Sequence, residues 1–345
     1  MIAARLHKIR APLRIDRIPI PRIGDRDLLI KVRASGICHS DINYRNGVAP
    51  VRRVPITLGH EVAGTVAKRG RGVKGFRSGD RVVVHYVVSC GRCTYCRTNR
   101  ENHCASYRMI GKDLDGGFAE YVSVPARSTV RLPSSIPFEQ GAILGCAVST
   151  AYHALLRVRV QRDDTVAVIG AGGLGMHAVQ LAKNIFHARL VIAVDRFDWK
   201  VERAKDFGAD YAVNAATHDA ARAIARLTDG AFADVVLDFV GSAGSNNLGL
   251  SCVGRGGRLV LVGIGVESMT ISPYRTIIGR ELGIIGVDDH LRTELSQLVN
   301  YARSGRVDLS RSVTHTVPLE AVNDGFKILE DRNERPIRVV VLNEN

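Results

Sequence analysis

The 345-residue sequence predicts an α/β protein of two parts, a strand-rich domain and a doubly wound parallel sheet. Three observations carry the prediction. Through about the first 145 residues, short apolar alternations are separated by Gly, Pro and Asp turn signals, the texture of antiparallel strands. From Thr165 onward strand-like and helix-like segments alternate, which calls for parallel pairing. The first of those strands, TVAVI, runs straight into Gly170-Ala-Gly172-Gly173-Leu-Gly175, a turn that opens a helix.

Taken in order, segments 28–32 (LLIKV), 62–66 (VAGTV) and 81–84 (RVVV) read as strands of the first part. The second part follows as strand 165–170, helix 176–185, strand 190–195, helix 199–208, strand 211–214, helix 218–227, and then strands 233–241, 256–265 and 281–287. These are six strand candidates in the order that a doubly wound nucleotide fold needs. Beyond them, a helix over 291–305, a short helix over 319–331 and a last strand, IRVVVL, return to the first part. The domains are therefore expected to be 1–147 with 288–345, and 148–287.

Composition narrows the class. Hydrophobic residues make up 46% and charged residues 24%, too apolar for a chain that stays disordered. The formal net charge is +14, and 39 of the 48 basic residues are Arg, spread from Arg5 to Arg338. No five like charges run together, so no basic arm is present and no nucleic-acid partner is expected. The opening MIAARLHKIRAPLRI lacks an uninterrupted apolar stretch, and no later segment is apolar over the span of a membrane without glycine or charge. A cytoplasmic protein without a membrane partner is the expectation. Seven cysteines, an odd number, with four of them crowded between positions 90 and 104, suit a metal better than a disulfide framework.

The densest constellation is Cys90-Gly-Arg-Cys93-Thr-Tyr-Cys96, followed by Cys104. Four thiolates on one short loop can close a tetrahedral shell around Zn2+, and a closed shell leaves no position for substrate, so this site would be structural. A redox C-x-x-C pair would not need the other two cysteines. A second set is scattered: Cys38-His39-Ser40-Asp41, Gly59-His60-Glu61, and Cys146 far along the chain. Cys, His and Cys around Zn2+ would leave one position open, as a Lewis-acid catalyst requires. Spacing alone leaves the alternative open that Cys38 and Cys146 are small buried hydrophobes and His60 a turn residue. The glycine turn, third, lets the backbone approach a pyrophosphate at a helix N-terminus. Asp195, at the end of the strand that follows Gly175 and its helix, can accept from both ribose hydroxyls of NAD and would repel the 2′-phosphate of NADP, although Arg196 follows it.

With these residues in view, GICHSD, LGHEVAGTV, SCGRCTYCRTNRENHC, GGFAEYV, GCAVSTAYHAL and VIGAGGLG resemble, in order and spacing, the zinc-containing medium-chain alcohol dehydrogenases. The resemblance spans nearly the whole chain. It implies a GroES-like catalytic domain holding zinc and substrate (1–147 and 288–345), a Rossmann dinucleotide-binding domain (148–287), two Zn2+ per chain and NAD. By the same resemblance, Cys38, His60 and Cys146 match catalytic-zinc ligands, Glu61 a carboxylate that approaches the metal, and Asp41 the group that orients the histidine. Cys90, Cys93, Cys96 and Cys104 match the structural site. His39 and Arg338 match pyrophosphate partners, Lys200 a residue near the adenosine ribose, Thr150 one beside the nicotinamide, and Val262 one near its carboxamide.

Ser40 matches the hydroxyl that takes the substrate's proton while hydride passes to NAD+, and it could equally cap a helix. In many relatives the proton then reaches a histidine at the third position beyond; here that position is Asn43, which cannot titrate. Tyr86 matches a substrate-pocket position, its bland alternative being a strand residue with its hydroxyl in water. The short interval from Cys104 to Cys146 resembles the bacterial and archaeal, usually tetrameric, members, so a homotetramer is expected. The expected activity is reversible hydride transfer between NAD and a primary or secondary alcohol. The alternatives are a polyol, hydroxyketone or acyl-CoA specialist of the same family and, remotely, a nucleic-acid-binding zinc module.

Overall fold

The computed structural model describes residues 1–331 and 333–343. The chain divides into two compact units, one of Met1–Ser149 with Asp289–Asn345, the other of Thr150–Asp288. Among the described residues, no helix is long and apolar enough to cross a membrane.

The first unit begins with β1 (Ile2–Leu6), β2 (Arg14–Arg17) and β3 (Asp27–Ile37), then α1 (His39–Asn46), β4 (Ile56–Thr57), β5 (Glu61–Arg69) and β6 (Arg81–Val84). A two-stranded ribbon of β7 (Val87–Val88) and β8 (Arg108–Met109) flanks the short helix α2 (Thr94–Arg97), and β9 (Tyr121–Pro125) and β10 (Thr129–Arg131) follow. The long strand β3 pairs with both β5 and β9, so its Leu28, Ile30 and Val32 are sealed from water with Val62 and Val66 of β5. The segments 28–32, 62–66 and 81–84 expected as strands lie in β3, β5 and β6.

The strand-rich texture hid one helix. From Phe138 the chain is helical through α3 (Phe138–Ile143), a wide π-turn at Leu144–Val148, and α4 (Ser149–Arg157). Gly141 and Gly145 interrupt the helix signal of Ala142, Ala147 and Ala151, and the stretch is buried almost throughout, so it shows no polar face to mark a helical period. The π-turn carries Cys146, and the Ser149 hydroxyl donates to the Leu144 carbonyl at its start.

In the second unit the alternation is realised as β11 (Thr165–Ile169), α5 (Gly173–Asn184), β12 (Leu190–Asp195), α6 (Asp198–Asp206), β13 (Tyr211–Asn214), α7 (Ala220–Leu227), β14 (Ala233–Asp238), α8 (Ala243–Cys252), β15 (Val253–Leu261) and β16 (Gly283–Gly286). The strands form one sheet, all parallel, in the order β13-β12-β11-β14-β15-β16. This is the doubly wound order, with its switch point beside β11. Every residue of β11 is buried, as a parallel strand covered on both faces must be. Helix α7 starts at Ala220 and not at 218, because Asp219 caps it by accepting the Arg222 amide at 3.0 Å. Helix α8 has no counterpart in the sequence pattern: its NLGLSC end lacks an apolar period, and Ser242 starts it by accepting the Ser245 amide at 3.1 Å.

The chain then returns to the first unit through α9 (Arg292–Arg303), β17 (Val313–Pro318), α10 (Val322–Glu330) and β18 (Arg338–Leu342). Strand β18 pairs antiparallel with β3, so the main sheet of this unit runs β10-β6-β5-β3-β18-β17 among the described residues. The register fixes the site: Gly36 of β3 faces Glu61 of β5, and Ile37 faces Val339 of β18. Residues 38, 61 and 338 are thereby brought to the same end of the sheet.

Candidate functional site

At that end of β3 the chain passes from strand to helix, and Cys38 is the last extended residue before α1. The structure corrects the capping role considered for Ser40: the N-cap is Cys38, and Ser40 is already inside the helix, half-buried, its Oγ 3.7 Å from Cys38 Sγ. Asp41, wholly buried, holds two segments in place. Its carboxylate accepts the Cys38 amide at 3.0 Å and the Gly59 amide at 3.1 Å, and lies 3.6 Å from His60 Nδ1. That arrangement turns the other ring nitrogen, Nε2, toward a ligand role.

Cys38, His60, Glu61 and Cys146 come together although the outer two lie far apart in sequence. All four are buried, and one ligand atom from each lies within 4.8 Å of the others. Both ring nitrogens of His60 and Oε1 of Glu61 are buried with no hydrogen-bond partner; Nδ1 lies nearest Asp41, which leaves Nε2 and Oε1 as donor atoms for a cation. Burial opposes protonation of His60, but the charges of Asp41 and Cys38 beside it outweigh that and hold its pKa well above the ordinary histidine range. The hydrogen bond from Cys146 holds the Cys38 thiol well below its usual value against the effect of burial, and the same bond pushes Cys146 up. Burial raises Glu61 to about 7 in spite of the Arg338 charge. Two thiolates, one imidazole and a carboxylate are a donor set suited to Zn2+, and binding it would displace protons from His60 and Cys146.

Arg338, for which the resemblance implies a pyrophosphate contact, stands at the head of β18. It is 2% exposed, and its guanidinium pairs with the Glu61 carboxylate. Gly36 makes room for that carboxylate, since a Cβ on it would collide with Glu61 Oε2. Tyr86 is also buried, at 3% exposure and outside any strand, which overturns the reading of its hydroxyl in water. Its ring stands edge-on to His60 at 5.1 Å and to His290 at 5.0 Å. His290, with Asp289 beside it, escaped the sequence reading; its ring is T-shaped to His85 at 4.7 Å, and its carbonyl bonds the His85 ring at 2.9 Å. Only its position just before a helix start could have drawn attention, a signal common to many ordinary residues.

The second cluster is as compact. Cys90, Cys93, Cys96 and Cys104 place their sulfurs within 4.8 Å of one another, with Cys93–Cys96 at 3.5 Å and Cys90–Cys96 at 3.8 Å. Sulfurs about 2.3 Å from a tetrahedral zinc stand about 3.8 Å apart, so these spacings fit that ion. All seven cysteines are free of disulfides. Backbone amides serve the thiolates: Gly91 to Cys96 at 3.2 Å, Cys93 to Cys90 at 3.3 Å and Cys90 to Cys104 at 3.2 Å. The amides of Arg92 and Cys93 lower the Cys90 thiol to about 6.

In the second unit Gly170 follows β11 with φ 89°, Gly172 caps α5, and Gly173 is its first residue. Gly175 faces the Gly170 carbonyl so closely that no side chain fits, which lets the helix start lie against the turn. Asp195 ends β12; its Oδ1 accepts the Arg196 and Phe197 amides at 2.8 and 3.2 Å, and its Oδ2 lies 3.7 Å from Lys200 Nζ. Thr150 is buried in α4, Val262 is half-buried with its amide on the Asp238 carbonyl, and His39 is exposed at the start of α1.

A doubly wound sheet with a glycine turn and a terminal aspartate, in one chain with an open four-ligand cluster and a closed four-thiolate one, defines a zinc-type dehydrogenase. Comparison with known proteins narrows this further. The description Alcohol dehydrogenase GroES-like domain matches residues 24–134, and Zinc-binding dehydrogenase matches residues 173–302. The chain is 35% identical to an alcohol dehydrogenase of Geobacillus stearothermophilus, over 94% of this chain and 95% of that one. It is also 35% identical to an NAD-dependent alcohol dehydrogenase of Sulfurisphaera tokodaii, over 96% and 97%. The crystal structure of the alcohol dehydrogenase of Aeropyrum pernix superposes with a TM-score of 0.91 at 34% identity, covering 99% of this chain and 100% of that one. The chain belongs to the zinc-containing medium-chain alcohol dehydrogenase family and is an oxidoreductase.

Proposed function

We propose that this enzyme transfers hydride reversibly between NAD and a primary or secondary alcohol, at a zinc held by Cys38, His60 and Cys146 with Glu61 alongside. The observation that carries the reading is the convergence of those four buried side chains from three separate segments. When bound, zinc acidifies an alcohol and NAD+ accepts its hydride. The chain does the rest. Asp41 ties residue 38 to residue 59 and sets its charge 3.6 Å from Nδ1 of His60, which favours presenting Nε2 to the metal. The Ser40 hydroxyl, close to Cys38 and half-exposed, takes the substrate's proton toward solvent. Tyr86 forms an apolar wall beside His60. The Gly170, Gly172, Gly173 and Gly175 turn receives the pyrophosphate, the Asp195 carboxylate selects the ribose with Lys200 beside it, and Thr150 and Val262 serve the nicotinamide. His39 reaches the pyrophosphate directly; Arg338 acts through Glu61, which it holds.

Cytoplasmic residence belongs to this reading, supported by seven reduced cysteines of which six sit in ligand clusters and need thiolates. So does a homotetramer, supported by the short Cys104 to Cys146 interval. The test is metal content together with NADH formation on a panel of alcohols. About two zincs per chain are expected, with turnover lost when the more labile one is chelated. One tightly held zinc and no turnover would refute the assignment.

The proton route carries its own prediction. Asn43 stands one turn beyond Ser40 on α1, and an amide cannot titrate near neutrality. The rate-versus-pH profile for alcohol oxidation is expected to lack a one-proton limb near pH 6 to 7, and Asn43→His is expected to introduce one, because imidazole titrates there. A full limb in the unmodified enzyme that Asn43→His leaves unchanged would sink this.

A further inference from the structure

Next to His60, the first unit packs a run of three further rings, His85, Tyr86 and His290, all buried. Tyr86 stands edge-on to His60 on one side and to His290 on the other, at interplanar angles of 80° and 82°, and lies at 28° to His85 with centroids 6.2 Å apart. The activity proposed above uses Tyr86 as a wall and gives the two histidines no part. Among the described residues, neither of them joins a cluster of metal-ligating side chains. Burial lowers the pKa of His85, so its ring is neutral near pH 7. Its Nε2, 2.9 Å from the His290 carbonyl, must then carry the proton, because a carbonyl only accepts.

The backbone of His290 is held on both sides. Asp289 before it takes the left-handed conformation with φ 59°, and Leu291 after it is the N-cap of α9. Glu294 accepts the Leu291 amide at 2.8 Å, and Glu101 accepts that of Arg292, also at 2.8 Å. Tyr86 is held too, its carbonyl accepting the Ile110 amide at 3.1 Å. With both backbones fixed, ring contacts decide where the Tyr86 side chain stands.

We propose that His290 is a positioning residue that holds the Tyr86 ring against His60 as a rigid stop and so restricts the substrate to compact alcohols, an inference that rests on the alcohol dehydrogenase reading above. A ring with an edge-on partner on each side cannot turn about its Cα–Cβ bond without giving up both contacts. Without the His290 side chain the outer side is empty, and the ring can move into the space that the imidazole filled. The room gained lies beside His60, where it admits a cyclic or branched carbon skeleton.

The experiment uses the zinc-loaded enzyme with His290→Ala, His290→Phe, Tyr86→Ala and the double variant His290→Ala/Tyr86→Ala. NADH formation compares isopropanol with cyclohexanol. A second measurement needs no turnover: with Co2+ in place of the more labile zinc, visible absorption follows the binding of imidazole and of phenylimidazole to the metal. The enzyme is expected to prefer the smaller member of each pair. His290→Ala is expected to move both preferences at least about tenfold toward the bulkier member, the alcohol preference mainly through KM. His290→Phe restores a ring edge without a titratable nitrogen and is expected to keep the parent preferences within about threefold. Added to Tyr86→Ala, His290→Ala should change them by less than about threefold, because no ring is left to hold. Unchanged preferences in His290→Ala, or an equal shift with and without Tyr86, overturn the proposal. So does failure of His290→Phe to restore them, which would show that the imidazole itself meets the substrate. If His290→Ala does not retain two zincs, His290→Leu, which fills the space without a flat edge, is read in its place with a shift of the same sign expected. A shifted imidazole preference in an enzyme that oxidises no alcohol would support the stop and refute the activity instead.

Discussion

Replacing His60 by alanine is expected to lower kcat/KM for alcohol oxidation by at least about a thousandfold, roughly 4 kcal/mol of transition-state stabilisation, and to leave about one zinc per chain. The cluster has no spare ligand. Cys38 and Cys146 would remain with Glu61, whose carboxylate already pairs with Arg338, and two thiolates with a shared carboxylate hold zinc poorly. The retained metal should be the one at Cys90, Cys93, Cys96 and Cys104, because those ligands come from one loop and share no contact with His60. His60 is also fully buried and touches Tyr86, so its loss opens a cavity. Unchanged NADH binding and circular dichroism would separate lost chemistry from lost folding. Two zincs per chain with near-normal turnover in His60→Ala would show that this cluster is not the catalytic metal site.

Much of this site was legible because its chemistry needs rare residue types. Four cysteines on one short loop, or glycines between a strand and a helix with an aspartate at the end of the next strand, have few other uses. The scattered set was harder, since Cys38, His60 and Cys146 acquire meaning only together, and neither the β3–β5 register that joins the first two nor the π-turn that brings in Cys146 is written in any local pattern. Boundaries failed where no local period marks a helix. The helix through Cys146 is short in segments and broken by glycines and a π-turn, and α8 hides its period because the one face it buries carries Ser245, Asn246, Gly249 and Cys252 and no large apolar side chain. Histidine at 290 and the inward turn of Tyr86 were illegible for a similar reason: an aromatic residue after a strand shows nothing of which way it faces.

Arg338→Met is expected to be the most destabilising single change in the first unit outside the cysteines, by about 3 to 5 kcal/mol, because it strands a buried carboxylate. Glu61 is fully buried, Arg338 is 2% exposed, and each is the ion-pair partner of the other. The pair is not free to relax outward. Glu61 faces Gly36 across the β3–β5 register, and Arg338 sits at the head of β18, whose next residue faces Ile37, so both backbones are fixed by the same central strand. Removing the whole pair should cost less than removing half of it, since an uncompensated buried charge is worse than an apolar replacement. Thermal unfolding of zinc-loaded proteins should therefore place Arg338→Met roughly 10 °C below the parent, with Arg338→Met/Glu61→Leu recovering part of the loss. If the double variant were less stable than the single one, the ion pair would have no role in relieving Glu61, and the arginine would have to be explained by what it binds.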